Sequence, residues 1–482
     1  MSVKTVLITG STRGIGLELA NHFAKAGWKV IGVARKGSNT EKLEALSPFK
    51  VVSFDCTDES TVFLAAQELK GVPIDLLINN AGIFIGGGLE ETTKDMLMRQ
   101  FEVNTVGPFV VTRVFLPNLK LGAEKNGRDG AMVVTVSSVM GSIASNTDGG
   151  NYSYAASKAA MNMVNSSLAI DLKKDNISAI VLHPGYVVTD LTGGLGDVHT
   201  DESVTGMRSV IEKVTMADTG KFFDFKGHEL PCQLNKFSEI HKMSSKTVLI
   251  TGSNRGIGLA FTHHYMTNGW KVIAAARDPL NATDLKELKL ENIIQIDTSD
   301  EVSINAAAEE LKGQPIDLLI NNAGIAHGGT IDMITKIDMM KQFEINAVGP
   351  FLMTRAFLPN LKLAAAKNGS AKVAQITSHM GSITDVRRGS LYGFADESGG
   401  LYGYRASKSA LNMVNSCLAV DLKDDKILTL VLHPGYVVTR MTGNTGEVSP
   451  EKSADGMAKI IEEMTPEDSG KFFNFSGDNL PW

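Results

Sequence analysis

The sequence predicts an α/β protein of two tandem domains, each a parallel sheet with helices on both faces. Three observations carry this: the chain is written twice, its strand-like segments are continuous apolar runs, and helix-like segments separate them. A length of 482 residues allows roughly two to four domains, and the repeat selects two. Residues 5–16 read TVLITGSTRGIG and residues 247–258 read TVLITGSNRGIG, an offset of 242. The offset holds to Asn104 and Asn346, falls to 240 at Ser138 and Ser378, and rises to 250 at Tyr154 and Tyr404. So long a period is a whole domain and not a solenoid unit. We expect domains at 1–232 and 243–482, joined by the linker 233–242 (QLNKFSEIHK). Ten extended residues reach at most about 35 Å, which permits side-by-side docking of the copies.

The elements follow in order. Val6–Thr9 is a short β-branched run, the first buried strand. A glycine turn leads into a helix over Gly14–Ala26. Trp28–Ala34, Val51–Phe54 and Ile74–Asn79 are the next strands. Asp95–Leu121 reads as a long helix with a kink or break at Pro108. Val133–Ser137 is a strand, Tyr154–Lys173 a helix, and Ser178–His183 a strand before Pro184-Gly185. The glycine-rich, polar stretches 189–205 and 439–455 read as loops that shape a pocket.

Composition excludes several function classes. A net charge of −6 offers no basic excess for nucleic acid or an anionic membrane. Cys56, Cys232 and Cys417 are an odd number without CxxC spacing, which argues against a disulfide framework or a metal site and for a reducing compartment. No apolar run reaches the roughly 18 residues of a membrane span. The N-terminal apolar run ends in Thr9-Gly10 with no cleavage signature, so the expected location is cytoplasmic.

The turn after the first strand carries Gly10, Arg13, Gly14, Ile15 and Gly16, repeated as Gly252, Arg255, Gly256, Ile257 and Gly258. Such a turn lets backbone approach a pyrophosphate at a helix N-terminus. It also serves tight packing, and duplication copies structural and functional residues alike. The second strand decides more. An acid about 20 residues after the glycines meets a free ribose 2′-hydroxyl. Here the strand ends in Ala34-Arg35 and Ala276-Arg277. Arg35 with Arg13, and Arg277 with Arg255, favour a 2′-phosphate through charge-assisted bonds. The expected cofactor is NADP(H).

Taken together, these residues resemble the short-chain dehydrogenases/reductases. The matching motifs are TGxxxGIG at Thr9–Gly16, Asn79-Asn80-Ala81-Gly82, Asn104, Ser138, Tyr154-Ala-Ala-Ser-Lys158 and Pro184-Gly185. Copy two repeats them at Asn321–Gly324, Asn346, Ser378, Tyr404-Arg-Ala-Ser-Lys408 and Pro434-Gly435. The endings GKFFDFKGHELP and GKFFNFSGDNLP resemble the sniffer/C-factor-like carbonyl reductase branch. The resemblance implies a Rossmann-like fold in each copy and NADPH-dependent reduction of ketones, aldehydes or quinones. It implies Tyr154 and Tyr404 as acid/base, with Ser138 and Ser378 polarising the carbonyl. Lys158 and Lys408 would hold the nicotinamide ribose, and Asn104 and Asn346 would organise a water-linked proton path. Asp55, Asn79 and Thr189, with Asp297, Asn321 and Thr439, join the cofactor set. The residue types suit the chemistry. A phenol titrates near 10, and a lysine one helical turn on lies on the same face and is expected to draw that value down.

Both copies depart from the family between serine and tyrosine, which stand 16 apart in copy one and 26 in copy two. The added residues look like a local duplication, LYGF at 391–394 against LYGY at 401–404. Tyr392 is therefore a rival to Tyr404, but it lacks the following lysine. Phe84-Ile85 becomes Ala326-His327 and Val139 becomes His379, differences that suggest a more polar second site. His183 and His433 are expected to be packed strand-end residues. Two alternatives stand beside the two-site reductase: an NADP(H)-binding regulatory or signalling protein with weak chemistry, and a chain with one catalytic copy. The partners expected are a small-molecule carbonyl substrate and, by packing of the long helices, the other copy in an intramolecular pseudo-dimer; a further homo-oligomer is compatible with this.

Overall fold

The computed structural model describes residues 3–230, 246–290, 292–388 (backbone alone from 386) and 400–482. The expected linker 233–242, the boundaries at 232 and 243, and Tyr392 lie outside the described residues.

In copy one the strands are β1 (Thr5–Ile8), β2 (Lys29–Ala34), β3 (Lys50–Ser53), β4 (Leu76–Asn79), β5 (Ala131–Val136), β6 (Ile177–His183) and β7 (Phe222–Asp224). They form a seven-stranded sheet in the order β3-β2-β1-β4-β5-β6-β7, with every pair parallel. Copy two repeats the order with β8 (Thr247–Thr251), β9 (Lys271–Ala276), β10 (Asn292–Gln295), β11 (Leu318–Asn321), β12 (Ala371–Ile376), β13 (Ile427–His433) and β14 (Phe472–Asn474). These are two tandem Rossmann-like domains. Helices cover both faces, so central strands such as β1 and β4 are buried at every residue. The order reverses between β1 and β4, which opens a crevice at the carboxyl ends of those strands.

Two readings of the sequence are corrected and one strand is added. The long helix is interrupted ahead of Pro108: Lys94–Phe101 passes into a π-helical turn, Glu102–Val106, and then into Gly107–Val114 and Leu116–Asn126. Pro108 sits in the first turn of its segment, where its missing N–H costs least. The stretch 189–205 is loop only in part, because a helix starts at Thr200 and runs to Lys213. Val204, Met207, Val210 and Ile211 are its buried stripe at helical spacing. The ending FFD, which alternation does not betray, is strand β7 against β6.

The copies touch through the helices that carry the family motifs. Helix Tyr152–Asp171 lies against helix Tyr402–Asp421, and a single apolar cluster runs through both copies. The contacts are reciprocal. The Tyr152 hydroxyl donates to Asp421, and that of Tyr402 to Asp171. Lys94 pairs with Glu344 and Lys336 with Glu102. Phe101 and Phe343 stack with ring centres 4.5 Å apart. One patch breaks the symmetry. Asn146 donates to Ser416 at 3.2 Å, whereas on the other side helix Ile383–Arg388 lies on helix Tyr152–Asp171.

Candidate functional site

The glycine turn closes between β1 and helix Gly14–Lys25. Gly10 and Gly14 take φ of +66° and +53°, a region that L side chains avoid. The third glycine answers to packing. A Cβ on Gly16 would stand 2.1 Å from the Gly10 carbonyl oxygen, whereas one on Gly14 would meet only the Thr189 side chain, at 3.5 Å. Gly14 thus leaves backbone open, and Thr189 brings the loop after β6 to the turn. Gly256 and Thr439 repeat this at 3.3 Å. Arg13 supplies no side-chain cap and no acid stands in the first turn of the helix. Its first N–H groups therefore suit an anion.

Arg35, Lys36, Ser38 and Asp55 line a surface cavity of about 660 Å³ at the ends of β2 and β3. Burial works against the Asp55 charge, yet the N–H and hydroxyl of Thr57 and the Arg35 charge hold its carboxyl below the usual range. Asp297 is held down in the same way by Ser299 and Arg277. Arg13 is exposed, 3.6 Å from Asp190. The cavity carries two basic side chains, Arg35 and Lys36, and two acidic ones, Asp55 and Asp58, and the open glycine turn suits the pyrophosphate of a nicotinamide cofactor.

Asn79 and Asn321 hold their amides in the core. Asn79 Nδ2 donates to Thr112 at 3.0 Å, and Asn321 Nδ2 to Gln375 at 2.9 Å. The next residue, Asn80, turns the other way, toward the glycine turn. Asn80 Nδ2 donates to the carbonyls of Thr9 and Gly10 at 3.0 and 3.3 Å, clamping the glycine turn to the end of β4. Asn322 repeats the clamp. The doubled asparagine was the available signal, since only one member can face the core.

Ser138 caps the short helical turn after β5, with its Oγ accepting from the Met140 N–H at 3.2 Å. Tyr154 and Lys158 stand one turn apart on helix Tyr152–Asp171. Lys158 is 6% exposed, donates to the Val136 carbonyl at 3.0 Å and lies 5.6 Å from the Tyr154 ring centre. Asn104 sits in the π-helical turn. Its Oδ1 accepts from the Ile83 N–H at 2.9 Å, and its Nδ2 donates to the Ile83 carbonyl and to Ser157. Pro108 has no N–H to return to the Asn104 carbonyl. A Cβ on Gly82 would lie 3.2 Å from Asn104 Oδ1 and 3.7 Å from Lys158 Nζ. Glycine there keeps the space between them open. Ser378, Tyr404, Lys408 and Asn346 repeat the arrangement around Gly324.

The charge states differ from expectation. Burial pushes the Tyr154 phenol up to about 12, while its hydrogen bond with Ser138 pulls down; Tyr404 and Ser378 match this. Burial lowers Lys158 to about 8 and Lys408 to about 7. The phenol's shift comes from burial and from Ser138, and the Lys158 charge is not among its causes. In copy two His379 Nδ1 stands 3.1 Å from His433 Nε2, and burial lowers His379 to about 4. His433 belongs to this pair at the site's edge.

Comparison with known proteins follows this geometry. A family model described as short chain dehydrogenase matches residues 4–198 and again 246–449. The chain belongs to the short chain dehydrogenase family. That family uses nicotinamide cofactors on small molecules, and the chain is an oxidoreductase carrying its domain in tandem. The C-signal protein of Myxococcus xanthus is 38% identical over 169 residues, covering 35% of this chain and 93% of that protein. A carbonyl reductase from chicken fatty liver, solved with NADPH bound, is 38% identical, covering 50% of this chain and all of that one, at a TM-score of 0.46. The N-domain of a bacterial malonyl-CoA reductase, solved with NADP, is 16% identical. It covers 98% of this chain and 97% of that one at a TM-score of 0.67, and shares the fold. Among the described residues no helix is long and apolar enough to cross a membrane.

Proposed function

We propose that each copy is an NADPH-dependent reductase of ketone, aldehyde or quinone carbonyls, and that the copies form an intramolecular pseudo-dimer. The observation that carries the chemistry is the convergence, in both copies, of a serine on the tyrosine hydroxyl with a lysine and an asparagine across a glycine gap. When bound, NADPH supplies hydride to the carbonyl carbon. The chain's residues handle the oxygen. Ser138 and Tyr154 offer two hydroxyls to it as negative charge develops. A phenol titrating near 12 is protonated at neutral pH, the acid form that reduction needs. Lys158, lowered to about 8, exchanges its proton near neutrality and can restore that of the phenol. Arg13 and Arg35, with Arg255 and Arg277 in copy two, would hold the 2′-phosphate. The reciprocal tyrosine–aspartate and lysine–glutamate contacts support the pseudo-dimer.

NADPH oxidation with a panel of carbonyls tests the reading. Tyr154→Phe together with Tyr404→Phe lowers turnover by about 10²–10⁴-fold, with NADPH still bound, and each single variant keeps the other site's substrates. Retained turnover in the double variant overturns the mechanism. The likeness to C-signal favours a second reading, a cofactor-binding signalling protein with weak chemistry. NADPH binding without turnover of any carbonyl by the unmodified chain selects it.

A further inference from the structure

We infer that Phe84 makes site one selective for flat aromatic carbonyls, and that Ala326 at the matching place leaves site two without that selectivity. This rests on the reductase reading and names a substrate class for it. The Phe84 ring is 41% exposed, although it is large and apolar. It meets the Tyr154 ring edge-to-face, with centres 5.0 Å apart and planes at 77°. An apolar ring beside the phenol that donates the proton, and not folded into the core, is a wall for whatever reaches that phenol.

The wall is held in place by its neighbours. Ile83 is bonded through N–H and carbonyl to Asn104. The Ile85 N–H donates to Gln100 at 3.0 Å, and its carbonyl accepts from Gln100 at 2.9 Å and from Ser153 at 3.2 Å. Phe84 lies between two pinned residues, so its backbone cannot withdraw. Gly86 gives room to the ring, since a Cβ there would meet its atoms at 3.3 Å. Copy two keeps the scaffold and drops the ring. Ile325 is bonded to Asn346 at 2.8 Å through both groups, and Ala326 follows it. The next imidazole, His327, stands 3.6 Å from Asp338. An aryl group stacked on Phe84 can leave its carbonyl within reach of Tyr154 and Ser138, and a saturated ring gains less from the same wall. Each turnover adds hydride from one NADPH to the carbonyl carbon and the phenol proton to its oxygen.

The test uses full chains with one working site: Tyr404→Phe for site one and Tyr154→Phe for site two. Acetophenone and cyclohexyl methyl ketone differ in whether the ring is aromatic. The readout is the ratio of their kcat/KM values. Phe84→Ala in the site-one chain lowers the aromatic preference by about threefold to tenfold, and Ala326→Phe in the site-two chain raises it by a similar factor. Ratios unmoved by both substitutions overturn the inference. Absence of acetophenone turnover at site one also overturns the inference, whereas absence of turnover of any carbonyl of the panel by the unmodified chain overturns the reductase reading on which it rests.

Discussion

The two copies share one framework and differ at its rim. Both hold serine, tyrosine, lysine and asparagine on the same elements. Around them Phe84 faces Ala326, Val139 faces His379, and Asp190 faces Arg440. The last exchange matters for charge: Asp190 lies beside Arg13 in copy one, and Arg440 cannot neutralise Arg255 in copy two. The entry to the catalytic helix differs as well. Asn151 and Leu401 both precede it with φ of +44° and +58°. Asparagine tolerates that region, and leucine is strained there. The serine, tyrosine, lysine and asparagine are kept, and variation falls on the side chains around them.

Each contrast can be broken by substitution. The largest effect concerns the buried lysines. Lys158 and Lys408 titrate near 8 and 7 when folded and near 10.5 when unfolded, so between those values the unfolded chain binds more protons and stability rises with pH. Relative to Lys158→Met with Lys408→Met, the unmodified chain gains about 3 kcal/mol per lysine between pH 7 and 10, with copy two gaining first. Urea unfolding across that range checks this, and parallel curves refute it. Next come the arginines. Arg35→Asp or Arg277→Asp, in chains with one working site, weakens NADPH binding about tenfold to a hundredfold. Asp190→Arg moves site one toward site two. The KM for NADPH of the one catalytically working site reads both, since the silenced site still binds cofactor without turning over, and an unchanged preference over NADH sinks the 2′-phosphate assignment. The smallest effect is backbone strain: Leu401→Asn stabilises by about 1 kcal/mol, and Asn151→Leu costs about as much. Shifts of the same sign in the two variants would show that side-chain packing governs.

How far the sequence reaches depends on whether a residue's role is local. The glycine turn, the tyrosine and lysine one turn apart, and six of the seven strands of copy one were legible because spacing and residue type define them. The π-helical turn at Asn104 was not, since Pro108 drew the eye to a kink at itself and the backbone had adjusted one turn earlier. Helix Thr200–Lys213 hid in a polar, glycine-bearing stretch whose apolar stripe begins only at Val204. Asn79 and Asn80 are alike in type, and only the pleat of β4 assigns one to the core and the other to the turn. The high phenol value follows from desolvation, which no local pattern reports. The hydrogen bonds of Tyr152 to Asp421 and Tyr402 to Asp171 join residues more than 200 positions apart.

The uneven patch where Asn146 meets Ser416 points to a property of covalent fusion. When two identical subunits meet about a two-fold axis, every substitution at the contact is felt twice, and a change that helps one side can harm the other. A chain that carries both partners in one gene is released from that rule. Asn146 can seek a hydroxyl on its side while helix Ile383–Arg388 fills the opposite side, and neither choice is mirrored. Heredity then acts on each half separately, so one copy can change while its twin keeps the older arrangement.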